Sequence, residues 1–470
     1  MSTIPLQEFL RRATEKCADL THRATIQRNI DSYDVAVAKG KQRFSDWEAA
    51  RSRCSEIKAE AIAHLDRYLE QFEGKVKERG GHVFWAETAE DARQYIAGLA
   101  QSRGVKTIVK SKSMVTEEIH LSGALEKQGA AVWETDLGEY IVQLRNEPPY
   151  HIVTPAMHLT RVQIAQTFRE KIPSEMNGEE PPQLVAAARR KLRKAFFSAE
   201  MGISGANFLV ADAGMVAIST NEGNGRLTTT LPRIHVAITG IEKIIPRLSD
   251  LATLWPVLAT AGTGQPITTY STLIGGPRQP GETDGPEEFH VVLLDNGRSQ
   301  VLASREHREM LKCIRCGACL NVCPVYRQIG GHAYGTTYQG PIGSVLTPNL
   351  KPSAGFEHLA FASSLCSACG SACPVRINLP HQLLLNRRDA MAKTGQSGSR
   401  TMFRLFRWTA MSSVRFRVMG WLSRKGISTA KALGIAGSKL DPMRPWTQYR
   451  NGPEVPTQTF REWWRTHGRQ

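Results

Sequence analysis

The chain has 470 residues, of which 41% are hydrophobic and 22% are charged, and its formal net charge is +16. This length suits two or three domains, and the composition is typical of a folded globular protein rather than a disordered one. No run of about 18 apolar residues occurs, and the stretch after Arg11-Arg12 is polar, so we expect no membrane-spanning helix and no export signal. A cytoplasmic protein is the resulting expectation.

The chain is predicted to begin with a helical region, residues 1–78. In it, Ile62, Leu65, Leu69 and Phe72 recur at helical spacing. From residue 79 to 300, strand patterns alternate with helical ones, which predicts an α/β domain whose parallel sheet has helices on both faces. A helical insert is expected at Glu179–Ala199.

Six segments carry the predicted strands: HVFWAE, VKTIVKSKS, AAVWETD, ANFLVADAGMVAIST, RIHVAITGIEKII and FHVVLLD. The fourth predicts a hairpin around the turn Asp212–Gly214. The fifth predicts a strand that runs into the start of a helix.

Seven of the nine cysteines lie between Cys313 and Cys373, in two motifs that each end in Cys-Pro. The motifs are Cys313-x2-Cys316-x2-Cys319-x3-Cys323-Pro324 and Cys366-x2-Cys369-x3-Cys373-Pro374. The first matches the bacterial ferredoxin pattern, in which three thiolates on a tight loop hold one iron–sulfur cluster and the fourth reaches the neighbouring cluster. Structural zinc is the alternative, but the first motif fits a cubane cluster better.

This pattern predicts two iron–sulfur clusters, both expected to be 4Fe-4S. The first would be held by Cys313, Cys316, Cys319 and Cys373, and the second by Cys323, Cys366 and Cys369. Ser363 stands where the second cluster would need its fourth ligand. A serine oxygen ligand, a three-iron cluster and an iron open to solvent or to a partner are the alternatives. The two remaining cysteines, Cys17 and Cys54, are interpreted as ordinary helix residues.

Two glycine-rich loops, Asn221–Arg226 and Thr260–Gln265, could bind an anion through exposed amides. An ordinary loop is the preferred interpretation of both, and without G-x-G-x-x-G neither predicts a dinucleotide site. Glu222 could act as a general base, and His332 could tune a cluster by hydrogen bonding. The other histidines considered are interpreted as core or edge residues: His151, His158 and His235.

The stretch Arg387–Lys425 contains ten Lys and Arg residues and one acid, Asp389, interleaved with aromatic residues. It could pack on its own domain, dock a partner subunit, or lie on an anionic membrane surface. We expect no nucleic-acid partner, because no binding motif accompanies the charge. The tail from Asp441 is rich in Pro and Trp and is expected to lie over another surface; its tryptophans are Trp446, Trp463 and Trp464.

Three stretches resemble the lactate utilization protein B family, the iron–sulfur subunit of a bacterial lactate oxidation complex. They are Gly331–Pro348 between the cysteine motifs, Ile203–Pro246, and the tail Leu440–Gln470 with PWTQYR and FREWW. The resemblance covers nearly the whole chain. It implies that residues 79–300 form an α/β LUD domain of the ribose-5-phosphate isomerase and CoA-transferase type. A mainly α ferredoxin-like two-cluster domain (301–390) would follow, and then the basic segment and tail (391–470).

The same resemblance implies the function. The chain would be the electron-transfer component of a three-protein system that oxidises L-lactate to pyruvate. The seven cysteines carry over position by position, and three cysteines in the second motif are usual for the family. No catalytic residue is predicted. The alternatives are an iron–sulfur subunit of another 2-hydroxy acid dehydrogenase of the glycolate type, a LUD-domain enzyme that acts on a small anion with the clusters as redox outlet, and a redox-sensing regulatory module.

Overall fold

Four helices open the computed structural model, which describes residues 6–352, 354–394, 397–435, 438–439, 441, 444 and 454–468. They are α1 (Leu6–Ala18), α2 (Leu20–Lys41), α3 (Trp47–Ala63) and α4 (Leu65–Glu78). Asp19 and Asp46 cap α2 and α3 by accepting backbone N–H groups, each at 2.9 Å. The predicted helices are present, although the expected helix through Ile62 is interrupted at His64, which leaves the helical conformation between α3 and α4.

Ten strands follow between His82 and Leu294. They are β1 (His82–Ala86), β2 (Thr107–Lys110), β3 (Ala131–Glu134), β4 (Met201–Ser204), β5 (Phe208–Val210), β6 (Met215–Thr220), β7 (Ile234–Gly240), β8 (Ile244–Ile245), β9 (Tyr270–Ile274) and β10 (Glu288–Leu294). Six form one sheet in the order β1-β10-β7-β4-β2-β3, and every pairing in it is parallel. The other four form a second sheet in the order β8-β5-β6-β9.

Eight helices lie between these strands. They are α5 (Ala89–Ser102), α6 (Met114–Glu118), α7 (Leu121–Lys127), α8 (Leu137–Leu144), α9 (Arg161–Lys171), α10 (Pro181–Ser198), α11 (Asn224–Thr230) and α12 (Leu251–Thr263). Helix α10 is the predicted helical insert, whereas α9 was not expected.

The six-stranded sheet is buried on both faces. Along β10, Val292 and Leu294 pack into one hydrophobic cluster with α5 and α7, whereas Val291 and Leu293 pack into another cluster with α12 and the second sheet. Successive side chains of a strand point to opposite faces, so a strand covered on both sides reads as a continuous apolar run. The predicted α/β fold class is confirmed.

The predicted hairpin is confirmed, with Leu209 paired to Val216, and it belongs to the second sheet. One detail of the predicted domain was wrong. After β7 the chain forms a 3-10 turn, Ile241–Lys243, and the short strand β8 instead of a helix. The reason is tertiary pairing, because β8 lies parallel to β5 and this contact overrides the helical pattern of the local sequence.

From Arg298 to Thr394 the described residues form helices and turns but no strand, so this part is mainly α as predicted. The helices are α13 (Arg298–Ala303), α14 (Ala318–Asn321), α15 (Tyr326–Ile329), α16 (Gly340–Leu350), α17 (Ala368–Ala372) and α18 (Leu379–Thr394). Residues 1–390 make one compact unit, which contains both the sheets and the cysteine motifs.

Residues 391–470 make a second compact unit. Its further helices are α19 (Ser397–Ala410), α20 (Ser413–Ala432) and α21 (Phe460–His467). Across the described part of the chain, none of the helices combines the length and the apolar character that crossing a bilayer requires.

Candidate functional site: two cysteine loops beside a cavity

The first cysteine loop passes twice through left-handed backbone. Arg315, with φ 61°, lies between Cys313 and Cys316, and Gly317, with φ 80°, follows Cys316. The amide of Arg315 is directed at Cys313 Sγ, 3.4 Å away. Such turns direct backbone N–H groups into a concave loop, where they stabilise negative charge on sulfur.

The second cysteine loop repeats this backbone conformation. Leu365, with φ 56°, and Ser367, with φ 68°, take the places of the two left-handed residues of the first loop. The Leu365 amide donates to Ser363 Oγ at 3.1 Å, as the equivalent amide of the first loop does to Cys313 Sγ. Ser363 therefore stands at the position of a first ligand, with its hydroxyl where the other loop has a thiol.

Cys373 comes from the second motif but lies with the first loop. Burial, followed by the neighbouring Cys373 and Cys313 thiols, raises the pKa of Cys316. Burial also raises the pKa of Cys373 to about 11, with a further contribution from Cys313. We call the following four residues the first thiol group: Cys313, Cys316, Cys319 and Cys373.

The reverse exchange places Cys323, from the first motif, with the second loop. Burial and then the neighbouring Cys366 raise the pKa of Cys323. Burial and then Cys323 and Cys366 raise the pKa of Cys369 to about 11. These three residues are the second thiol group. The structure brings the seven cysteines together in the two groups that the sequence predicts, whereas ligation of clusters by them stays a prediction.

The spacing of the thiols suits a cluster better than a single ion. Four thiolates on one zinc ion, with Zn–S bonds of about 2.3 Å, would lie roughly 3.8 Å from one another. Among the described residues, the only set of three or more metal-ligating atoms within 4.8 Å of one another is Glu147, His158 and His332, and it contains no cysteine. Each thiol group is therefore wider than a zinc site, and its donor set fits an iron–sulfur core.

The two thiol groups differ in their exposure. Cys366 is exposed, whereas the other six cysteines of the two groups are buried. Cys366 also lines a small surface pocket, together with Cys323, Ser363 and Cys369. The first group lies inside the unit, and the second reaches its surface.

Buried ion pairs join the first loop to the sheet domain. Arg298, which is fully buried, makes a two-pronged contact with Glu118 at 3.0 and 2.8 Å and contacts Glu242 at 2.6 Å. Glu242 in turn accepts from Arg315 of the cysteine loop at 3.1 Å. The Tyr338 hydroxyl donates to Glu118 at 2.6 Å, and the Arg315 guanidinium lies 4.5 Å from the centre of its ring. We call this set the ion network.

Charge pairing outweighs burial in the ion network. Burial would raise the pKa of Glu118, but Arg298 and its hydrogen bonds lower that pKa to about 2. The pKa of Glu242 is lowered in the same way, against burial, by Arg298 and Arg315. Both carboxylates are thus charged, and the network holds the first loop on the sheet domain. The sequence predictions missed it, although the charges Glu242-Lys243 inside the apolar run ITGIEKII were a signal.

A cavity of about 550 Å³ lies beside the first loop. Its lining includes Arg315 and Cys316 from the cysteine loop and Lys112, Lys243 and residues of both glycine-rich loops from the sheet domain. This volume is in the range of sites for small molecules, roughly 300–1,000 Å³.

The two glycine-rich loops meet at this cavity. The side chains of Asn221 and Gln265 exchange hydrogen bonds of 2.9 and 3.0 Å. Glu222 accepts from the Leu137 amide at 3.4 Å, and burial and the neighbouring Asp136 raise its pKa. The sequence singled out both loops but gave no indication that they join.

The four histidines considered in the sequence analysis form hydrogen bonds with residues other than the cysteines. His151 contacts Asn321 at 3.1 Å and His235 contacts Ser204 at 2.8 Å, both buried. The remaining two are His158, which contacts Glu147 at 2.8 Å, and His332, which contacts the Pro148 carbonyl at 2.8 Å. No hydrogen bond among the described residues joins His332 to a cysteine, so its predicted influence on a cluster gains no support. Cys17 is exposed on α1 and Cys54 is buried on α3.

The basic segment exposes both its charges and its aromatic rings within the second unit. On α19 and α20, the aromatic side chains are more than half exposed: Phe403, Phe406, Trp408, Phe416 and Trp421. Trp463 and Trp464 are likewise exposed on α21. Trp446 and the PWTQYR stretch lie outside the described residues.

Three protein families match consecutive parts of the chain. The LUD domain matches residues 69–294, the 4Fe-4S dicluster domain residues 309–377, and the family "Lactate utilisation protein B, C-terminal" residues 389–469. Among solved structures, a DUF162 family protein from Deinococcus radiodurans covers 49% of this chain and 98% of its own, with 12% identity and a TM-score of 0.27.

Relatives named Lactate utilization protein B match along most of their length. The Bacillus licheniformis protein is 42% identical over 463 residues, which cover 98% of this chain and 97% of the relative. The Bacillus velezensis protein is 43% identical over 91% of this chain and 90% of its own. The Anoxybacillus flavithermus protein is 42% identical over 91% of both. The chain belongs to the lactate utilization protein B family.

Proposed function

We propose that this chain is the iron–sulfur electron-transfer component of a complex that oxidises L-lactate to pyruvate and so allows growth on lactate. The observation that supports this most directly is the pair of thiol groups, each drawn from both motifs, in a chain whose relatives carry the lactate utilization name. Oxidation of a lactate molecule releases two electrons and two protons. Bound 4Fe-4S clusters supply one-electron transfer, so a pair of them suits this task.

The protein would hold and shield these clusters with its own residues. The first thiol group would hold one cluster, and the second group would hold the other with Ser363 or an outside ligand as the fourth. Arg51 of α3 donates to the Cys373 carbonyl at 3.1 and 2.8 Å and so ties the second motif to that helix. Burial of the first group excludes water, whereas exposure of Cys366 leaves the second group open to a partner.

Iron and acid-labile sulfide per chain, measured on anaerobically purified protein together with EPR spectra, test this proposal. We expect about eight iron and a cubane signal on reduction if both clusters are 4Fe-4S. About seven iron with an oxidised three-iron signal would show that Ser363 is not a ligand. Stoichiometric zinc without sulfide would refute electron transfer.

The second unit is proposed to dock another subunit of the complex. Its arginines lie beside exposed aromatic rings, as in the pair Arg415 and Trp408, 4.5 Å apart. Exposed aromatic and arginine side chains are the residues enriched at protein interfaces. Replacing Phe406 and Trp408 with Ala should prevent co-purification of the partner subunits. Binding to anionic vesicles in the absence of those subunits would favour a membrane surface instead.

We also propose that the domain boundaries lie near residues 78, 300 and 390, with the LUD domain between the first two.

Two other functions are alternatives to this proposal. The first keeps the electron-transfer role but replaces lactate with another 2-hydroxy acid of the glycolate type. The second makes the LUD domain itself an enzyme for a small anion, and the cavity beside Cys316 favours it. Turnover of lactate by the isolated chain would support that second alternative over a carrier role.

A further inference from the structure

The cavity beside the first thiol group has walls of two kinds. Apolar side chains form one part of the lining, among them Ile218 and Leu258, both at least nine-tenths buried. Three cations form another part: Lys112, Lys243 and Arg315. Sites for small organic molecules typically combine a mainly apolar wall with a few polar groups that fix orientation.

Lys243 is the most unusual of these cations. Its side chain is 5% exposed, and among the described residues no hydrogen bond or ion pair of its ammonium group is found. Glu242 and Cys313 interact with it electrostatically, but among the described residues no acceptor takes a hydrogen bond from its ammonium group. An ammonium group has three N–H donors, and leaving them unfilled in a buried place is costly, so Lys243 points to an acceptor from a bound molecule.

Lys58 is a second buried lysine near Lys243, and its hydrogen bonds are those of a residue with a structural role. Its ammonium group donates to the carbonyls of Glu242 and Ile244, at 2.5 and 3.0 Å, and it does not line the cavity. Lys58 and Lys243 both interact electrostatically with Cys313, so either could offset the charge of a bound cluster. Only Lys243 also faces the cavity.

Arg315 adds a second incomplete cation to the same wall. One terminal nitrogen, Nη2, contacts Glu242 at 3.1 Å, whereas Nη1 is buried and has no hydrogen-bond partner. Lys112, in contrast, already donates to the Val153 carbonyl at 2.9 Å and lies 3.4 Å from Asp136. The N–H groups in this wall that lack a hydrogen-bond partner therefore belong to Lys243 and Arg315, beside Cys316.

We propose that this cavity binds a 2-hydroxy or 2-oxo acid, with its carboxylate on Lys243 and Arg315 and its carbon chain against the apolar wall. The site lies next to the first thiol group, since Cys316 lines the cavity and belongs to that group. This inference rests on the proposed function, which already names L-lactate, and adds to it the place on this chain where the acid binds. The cavity is larger than lactate needs, so acids with longer carbon chains also fit.

Anaerobic calorimetric titration of the full-length, cluster-loaded protein tests this inference, with L-lactate, pyruvate and 2-hydroxyhexanoate as separate probes. We expect all three to bind, and inorganic phosphate to compete weakly or not at all. Lys243→Met should weaken binding of the acids about tenfold or more, because a buried charge-assisted contact is lost. Ala259→Leu, which adds volume at the lining and keeps both cations, should weaken 2-hydroxyhexanoate more than L-lactate.

Lys58→Met is the matched control, since it also removes a buried cation near Cys313. It should leave acid binding within about twofold while shifting the reduction potential of a cluster. The iron content of each variant is measured as well, to check that its clusters are intact.

Two results would overturn the inference. One is no binding of any acid to protein with full iron and normal EPR signals, which would leave the electron-transfer function standing. The other is acid binding that Lys243→Met and Ala259→Leu both leave unchanged. Absence of iron and sulfide would instead refute the proposed function itself.

Discussion

The two cysteine loops share a backbone but differ in their surroundings. Left-handed residues occupy equivalent positions in both, and equivalent amides reach Cys313 Sγ and Ser363 Oγ. The first loop is buried against the sheet domain and tied to it by the ion network, whereas the second exposes Cys366. The comparison teaches that one local structure can be given two roles by its packing: a shielded site beside the cavity and an accessible site at the surface.

The largest expected effect comes from removing a cysteine that belongs to one motif in sequence and to the other thiol group in space. Cys373→Ala changes the second motif but removes a member of the first thiol group, so it should abolish the signal of the buried cluster and lower iron by about half. Cys17→Ala, on the exposed face of α1, is the control and should leave iron unchanged. Iron analysis and EPR measure the outcome. Loss of the exposed cluster alone would show that the exchange does not occur.

The ion network should support only the first loop. Arg298→Met leaves Glu118 and Glu242 buried without their main partner, which should reduce the free energy of unfolding by about 3–5 kcal/mol. Denaturant titration monitored by cluster absorbance and EPR should show the first cluster lost before the second. Arg305→Met removes an exposed arginine near Arg298 in the sequence and should have little effect. Simultaneous loss of both clusters at an unchanged midpoint would contradict this role for the network.

A single oxygen-to-sulfur change should make the two loops more alike. Ser363→Cys places a thiol where the first loop has Cys313, so the second cluster should gain a fourth thiolate ligand. We expect its loss in air to slow several-fold, and any three-iron signal to disappear. Ser371→Cys, on the helix that follows, adds a thiol away from the ligand position and is the control. Equal protection by both variants would mean that Ser363 does not face the cluster.

The sequence predicted those parts of the arrangement in which the interacting residues lie close together along the chain. The cysteine spacing predicted both thiol groups, because Cys313, Cys316 and Cys319 lie on one short loop and Cys366 and Cys369 lie on the other. Strand β10 was recognisable because burial on both faces leaves a continuous apolar run. In contrast, Arg298 and Glu118 are 180 residues apart, and only the tertiary fold brings them into contact. Neither local pattern nor spacing marks such a pair, and the same holds for Asn221 and Gln265 at the cavity.

The smallest expected effect concerns the residue that follows Cys316 in the first loop and Cys366 in the second. Gly317 and Ser367 have nearly the same conformation, with φ of 80° and 68°. A Cβ atom at Gly317 would lie 3.0 Å from Val153 Cγ2 and 3.3 Å from a His151 ring carbon, whereas Ser367 is exposed. Gly317→Ala should therefore cost more than the about 1–2 kcal/mol of left-handed strain alone.

The reciprocal change completes this test. Ser367→Gly relieves left-handed strain but increases the freedom of the unfolded chain, so its net effect on the free energy of unfolding should stay below about 1 kcal/mol. Denaturant titration of the two variants measures the asymmetry. If Gly317→Ala costs only about 1–2 kcal/mol, backbone strain alone explains the choice of residue. A large cost only at Gly317 would show that packing against the sheet domain, which the second loop lacks at this position, demands glycine in the buried loop and permits serine in the exposed one.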